Sequence, residues 1–301
     1  MHFRNCCFLI LSIILFGCSA ENETEKKTTT KQNNAHSPRK KQLRNELKIN
    51  LVDTVLFYES DFNSKIRVLI KRTKSKNYLG TLILLHGWNH SPEYWTNNMQ
   101  FVNQALNNGY DVVLPDFGKS MYALNRFKET RLDLATTATR SWMNNTLLKS
   151  LFKTHLRKKD DNVYLIGIST GARGAILIAQ DNIFEYKGVI AISGDYCPQT
   201  MQNDKLMTAY YGSYSKFKDR WLNNDNPQRN IQLTKSPTLL IHGKQDFVVP
   251  YNQSKDLYLE AQKKGLRNIT IFEDPNGKHD FKSWDQYSEM IFNFLLSHSS
   301  N

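Results

Sequence analysis

The sequence predicts an α/β domain, a mostly parallel sheet covered by helices on both faces, behind an apolar leader and a polar tether. Three observations predict it. Short runs rich in Val, Ile and Leu recur at residues 81–85, 111–114, 163–166, 188–192, 238–241 and 269–272. Unbroken apolar runs of that length suit parallel strands buried on both faces. Between them lie stretches whose apolar residues return every three or four positions, as on one side of a helix. This alternation continues from residue 50 to the end of the chain with no internal repeat, the signature of a doubly wound sheet.

Composition agrees. With 301 residues and 40% hydrophobic content, the chain can bury a sizeable core, which excludes disorder throughout. Its 40 Lys+Arg outnumber 28 Asp+Glu, giving a net charge of +12. Those charges are scattered and not gathered into a stripe or recognition motif, so they read as a solvated surface and no nucleic-acid partner is expected.

In chain order, residues 1–17 come first. A basic start (His2, Arg4) precedes an apolar run from Cys6 to Phe16, shorter than an ordinary membrane-spanning helix needs. The run ends in Leu15-Phe16-Gly17-Cys18, which resembles the lipobox of bacterial lipoproteins. The resemblance implies cleavage before Cys18, a lipid on that cysteine and anchoring to a membrane. Ser19 in the next position would favour the outer one. Cys197 would then be the remaining cysteine of the mature domain, leaving no intramolecular disulfide despite an exported address. Residues 18–49 are almost free of apolar side chains before Leu43 and cannot offset ordering entropy, so they read as a flexible tether.

The folded domain is expected over 50–301. Residues 51–58 and 65–71 read as two strands around a turn at 61–64. Ser91-Pro92-Glu93 looks like a helix start, and Trp95, Met99, Val102 and Leu106 give one helix that stops at Asn108-Gly109. A helix from Leu257 stops at Gly265, and Trp284, Tyr287, Ile291 and Leu295 stripe a closing helix. Residues 195–236 break the rhythm. They contain no clear strand and carry Tyr210, Tyr211, Tyr214, Phe217 and Trp221, as a small lid over a site or an aromatic-rich helix on the sheet would.

The chemistry gathers at strand ends. Residues 163–175 run from a strand into a helix through Gly167-Ile168-Ser169-Thr170-Gly171, the pattern G-x-S-x-G. Ser169 must occupy a turn too sharp for relaxed backbone, and Gly167 and Gly171 remove side chains that would collide there. The hydroxyl then stands at the positive end of the following helix. In this context the chain resembles the α/β-hydrolase family. That resemblance implies a base and an acid following in the order Ser, acid, His. The stretch His242-Gly243 through Asp246 to Pro250 is similar to the family's acid-bearing segment, which makes Asp246 the acid and His279, on the turn after the last strand, the base. Asp195 is the alternative acid, since some members carry it after the preceding strand. Asp274 and Asp280 lie nearer His279 in sequence but offer less natural geometry. By the same resemblance, the oxyanion N–H donors are Thr170 and Trp88, the latter following His86-Gly87, with His86 and His242 structural.

The C-terminal third is similar to the catalytic domains of prolyl-oligopeptidase-like serine hydrolases, although the chain has no room for their propeller. The leading expectation is a carboxylic-ester hydrolase working through an acyl-enzyme on a small-molecule ester. A peptidase or acylaminoacyl hydrolase acting on a peptide is the second, and a non-catalytic binding lipoprotein on the same fold the third. No cofactor or metal is expected: there is no G-x-G-x-x-G, no P-loop and no spaced Cys/His set.

Overall fold

A computed structural model describes residues 53–60, 65–134, 137–156 and 160–299. The leader, Cys18, the tether at 18–49 and the turn at 61–64 lie outside the described residues. Among the described residues, no helix is long and apolar enough to cross a membrane.

Among the described residues, eight strands form one sheet. The edge strand β1 (Thr54–Glu59) runs antiparallel to β2 (Lys65–Lys71), which is antiparallel to β4 (Tyr110–Pro115). From β4 the sheet continues in parallel through β3 (Gly80–Leu85), β5 (Val163–Ile168), β6 (Gly188–Ile192), β7 (Thr238–Gly243) and β8 (Ile269–Asp274). Burial follows position. Strand β1 alternates between half-buried and exposed residues, whereas β3 to β7 are buried at every residue, as strands covered on both faces must be. The crossover from β3 to β5 lets β4 grow outward on one side while β6, β7 and β8 grow on the other. Catalytic groups in such sheets sit at the carboxyl ends of the strands beside that reversal.

Helices close both faces. On one side, residues 139–155 form a continuous helical stretch: α3 (Thr139–Trp142), a π turn, α4 (Leu148–Ser150) and a second π turn. Beside it lie α5 (Thr170–Gln180) and, further along the chain, α8 (Asn252–Lys263). Ile83, Leu85 and Leu165 of the sheet bury here against Trp142, Leu147, Ile176 and Leu257. The neighbouring Leu82, Leu84 and Ile166 point the other way, against Trp95, Phe101 and Ile291. Adjacent strand residues thus feed opposite cores, the period of two that a sandwiched sheet requires.

The helix expected over 92–107 is two helices, α1 (Pro92–Asn98) and α2 (Phe101–Asn107), because Met99 leaves the helical region at φ −136°, ψ 145°. Met99 and Trp95 are nonetheless buried together, so the apolar spacing reported burial correctly and continuity wrongly. Ser91 makes no capping bond; its hydroxyl donates to Glu93 at 2.7 Å. The closing helix is likewise two, α9 (Phe281–Asp285) and α10 (Ser288–Ser297).

Residues 195–236 contain no strand and form α6 (Lys205–Tyr211) and α7 (Lys218–Leu222) between 3₁₀ turns. Asp204 caps α6 by accepting from Leu206 and Met207 N–H. Met207, Tyr210, Tyr211 and Trp221 bury against Met121, Ala123 and Leu134, with Trp88 half-buried on the same cluster. The insertion's partner is therefore the long segment after β4, which carries no periodic signal that sequence reading can use.

Candidate active site

Strand register decides where the site forms. Residue pairs Leu85–Gly167, Ile168–Ile192 and Ile192–Ile241 face one another, so β3, β5, β6 and β7 end at a common level. The loops leaving these strands therefore gather on one rim.

Ser169 occupies the turn between β5 and α5 at φ 55°, ψ −126°, which non-glycine residues rarely adopt. The turn persists because its surroundings forbid anything else. Its N–H donates to the Ile192 carbonyl at 2.9 Å, fixing the turn to β6. A Cβ on Gly167 would lie 2.1 Å from the Gly171 carbonyl oxygen, and one on Gly171 would lie 2.3 Å from the Leu85 carbonyl oxygen. Both positions need glycine because backbone passes backbone there. Ser169 then stands at the N-terminus of an 11-residue helix, where unpaired N–H groups give a positive field.

Asp246 lies on the loop after β7, its side chain wholly buried. Oδ1 accepts from the N–H groups of Val248 at 2.9 Å and Val249 at 2.8 Å. Oδ2 accepts from His279 Nδ1 at 2.7 Å, with His242 Nε2 at 3.3 Å. Burial alone would raise this carboxyl, but the hydrogen bonds from His242 and His279 prevail and hold it well below the ordinary carboxylate range. The anion is therefore the resting form.

His279 sits between β8 and α9. Its loop is zipped to the Asp246 loop: Lys244 N–H donates to Asp274 O at 2.7 Å and Gln245 N–H to Gly277 O at 3.0 Å. Asp280 caps α9 by accepting from Ser283 N–H at 2.8 Å, which fixes the residue beyond the imidazole. With Nδ1–H given to Asp246, Nε2 carries the lone pair, and it lies 3.1 Å from Ser169 Oγ. The structure thus brings Ser169, His279 and Asp246 into one hydrogen-bonded line, in which serine donates to histidine and histidine donates to aspartate. Trp284 packs its ring edge-on to His279 at 5.0 Å between centroids, and its Nε1–H donates to Ser193 Oγ at 3.1 Å.

The donors for a developing oxyanion must be free amides. Thr170 is the first residue of α5, so its N–H precedes the helical ladder. On the loop after β3, Asn89 N–H is already committed to the Gly118 carbonyl at 3.0 Å, and His90 N–H to Gly87 at 3.2 Å. Trp88 lies between the reserved amides and the strand end. His86 organises this loop: Nε2 accepts from Phe117 N–H at 2.9 Å and Nδ1–H donates to Gly87 O at 2.7 Å. Burial lowers the His86 pKa to about 4, so the imidazole stays neutral in that role. His242 is similarly occupied, with Ser254 Oγ at 2.7 Å and Val249 O at 2.9 Å.

Asp195, the alternative acid, is engaged elsewhere. Its Oδ2 accepts from Arg173 Nη1 at 2.7 Å in a buried pair, and Arg173 Nη2 donates to Met121 O at 2.8 Å. Asp274 accepts from Tyr287 Oη at 2.9 Å. Sequence reasoning missed Arg173, Ser193 and Trp284 as supports of the site. Arg173 follows the nucleophile by four residues on a buried helix, the one local hint available.

The arrangement can take a proton from a serine hydroxyl and hold the resulting imidazolium against a fixed carboxylate. Known structures share the fold. An S-formylglutathione hydrolase of Staphylococcus aureus superposes with a TM-score of 0.65 at 18% identity, covering 81% of this chain and 98% of its own. One from Agrobacterium tumefaciens gives 0.67 at 16% identity, covering 83% and 97%. An acylaminoacyl peptidase of Pyrococcus horikoshii gives 0.63 at 13% identity, covering 82% of this chain but 42% of its own. No curated protein matches the sequence. The α/β-hydrolase architecture is thus shared with enzymes of several activities. Residues 146–300, which carry Ser169, Asp246 and His279, match the prolyl oligopeptidase family, and the chain belongs to that family of serine hydrolases.

Proposed function

We propose that the protein hydrolyses carboxylic esters through an acyl-enzyme on Ser169. The line from Ser169 Oγ through His279 to Asp246, at 3.1 and 2.7 Å, carries the reading. In the first half-reaction, His279 Nε2 takes the serine proton as Oγ attacks the acyl carbon. The carbonyl oxygen gains charge, which the Thr170 and Trp88 amides hold. The imidazolium then gives its proton to the leaving oxygen, the C–O bond breaks, and the alcohol departs. Water, deprotonated by the same nitrogen, cleaves the acyl-enzyme and restores the serine. Asp246 keeps its charge throughout and fixes the Nδ1–H tautomer.

Esters are favoured over peptides by the extent of the likeness. The two S-formylglutathione hydrolases match over nearly their whole length, whereas the acylaminoacyl peptidase matches over 42% of its own. Family membership keeps amide cleavage as the second reading. Protein lacking residues 1–18 is expected to label with a fluorophosphonate and to hydrolyse short-chain aryl esters faster than aminoacyl or prolyl arylamides. Labelling should vanish in Ser169→Ala and His279→Ala. Absence of labelling in folded wild type would sink the mechanism, and faster arylamide cleavage would favour the peptidase.

We also infer that Cys18 is lipidated and anchors the domain to a bacterial membrane, on the lipobox-like Leu15-Phe16-Gly17-Cys18. Metabolic labelling with an alkyne fatty acid should tag the wild type and not Cys18→Ala; equal tagging would overturn the assignment.

A further inference from the structure

A row of rings begins where Ser169 and His279 meet and runs outward to solvent. A Cβ placed on Gly87 would lie 3.2 Å from Ser169 Cβ and 3.3 Å from His90 Nδ1, so the His90 ring and Ser169 flank the same glycine. His90 stacks on Tyr94 with centroids 4.1 Å apart and planes within 10°. Phe281, two residues beyond His279, closes on both, 5.5 Å from His90 and 5.8 Å from Tyr94. Phe281 in turn meets Trp284, the ring that braces His279. The outer rings are not core: His90 and Phe281 are half-buried and Tyr94 is 40% exposed.

Chemistry fixes which part of a substrate meets this wall. The acyl oxygen is claimed by the amides of Thr170 and Trp88. The leaving oxygen must touch His279 Nε2 to receive its proton. A departing alcohol therefore leaves from the side of His279, whose ring is linked through Trp284 and Phe281 to His90 and Tyr94. The carboxylates nearest the wall are already committed. Glu93, beside Tyr94, is paired with Arg67 at 2.7 Å and bonded by Ser91 at 2.7 Å, and Asp280, beside Phe281, caps its helix. A flat, half-open aromatic surface attracts a flat uncharged ring by offset or edge stacking.

We propose that His90, Tyr94 and Phe281 form a leaving-group subsite for a planar, uncharged aromatic alcohol, making aryl esters the preferred substrates. The inference rests on the ester-hydrolase reading and adds to it the class of alcohol released. The test compares kcat/KM for phenyl acetate and hexafluoroisopropyl acetate, esters of one acid whose alcohols have similar acidity, so that chemistry alone does not separate them. The wild type should prefer the phenyl ester by about tenfold, and Tyr94→Ala and Phe281→Leu should each lower that ratio about three- to tenfold, the worth of a ring contact. Rapid turnover of both esters with no phenyl preference would overturn the subsite and leave the ester reading intact. A preference unchanged in both variants would also overturn it. Turnover of neither ester by protein that still labels with fluorophosphonate would instead remove the ester reading, and this inference with it.

Discussion

Two carboxylates end neighbouring strands and have opposite fates. Asp195 follows β6 and Asp246 follows β7, both buried; the first faces the guanidinium of Arg173 and the second the imidazoles of His279 and His242. Asp195 is spent on Arg173, a permanent cation fixed on the nucleophile's own helix. Burial raises its carboxyl, and Arg173 only partly offsets this. Asp246 collects two backbone N–H groups and two imidazoles, which outweigh burial and lower it. An acid that must stabilise a transient imidazolium needs a fixed negative charge whose partner is not already charged. Depth of burial is shared by the two residues, so it is the partner that separates the carboxylate tied to a fixed cation from the one aligned behind His279.

The sharpest way to break this comparison is to remove both charges by isosteric substitution. Asp246→Asn should lower kcat/KM about 10³- to 10⁴-fold by presenting the wrong histidine tautomer, whereas Asp195→Asn should stay within roughly tenfold of wild type. Equal losses in steady-state assays would abolish the distinction. Stability should show the reverse emphasis. Asp195→Ala removes the carboxylate hydrogen-bonded to buried Arg173 and should cost roughly 3–5 kcal/mol in urea unfolding, much of it recovered when Arg173→Met is added. No recovery in the double variant would mean that Arg173 is held by something other than its charge.

A smaller effect concerns the brace behind the histidine. Trp284→Phe deletes the Nε1–H bond to Ser193 while keeping a ring against His279, and should cost about 1 kcal/mol with a few-fold loss in kcat. A loss beyond about a hundredfold in kcat would make Ser193 and Trp284 part of the chemistry, not its support.

The smallest effect lies in pH. The Asp246 pKa is lowered on folding, so its stabilisation is complete above the ordinary aspartate value of 3.8 and declines as pH falls below it. The stability gap between wild type and Asp246→Asn should therefore narrow by about 1 kcal/mol over the first pH unit below that value. For Asp195, raised on folding, the sign reverses: its contribution is greatest below 3.8 and declines as pH rises. Parallel gaps in acid denaturation series would show that the two sites are electrostatically alike.

What could be read from the sequence was whatever is local. Strand runs such as 188–192 declare themselves because every residue is apolar, and the β5–α5 turn because Gly167, Ser169 and Gly171 lie within five residues. Ser169, Asp246 and His279, after β5, β7 and β8, could be named through the resemblance to the α/β-hydrolase family, whose order is Ser, acid, His. That they meet depends on the side-by-side register of β5, β6, β7 and β8, a property of the sheet. The break at Met99 was illegible because both half-helices bury the same stripe. The Arg173–Asp195 pair and the Trp284–Ser193 bond span 22 and 91 residues, and no short-range pattern announces either.

The seating of Gly171 against the Leu85 and His86 carbonyls sets how closely α5 approaches the end of β3. The gap between the nucleophile's helix and the oxyanion strand is set by atoms in contact, with no adjustable side chain acting as a spacer. Hard contacts change little with temperature and cannot be retuned by conservative replacement elsewhere. The separation of attacking and stabilising groups thus behaves as a fixed gauge, and variation in such a chain must be absorbed by the walls around the gauge, where rings and loops can be exchanged without disturbing it.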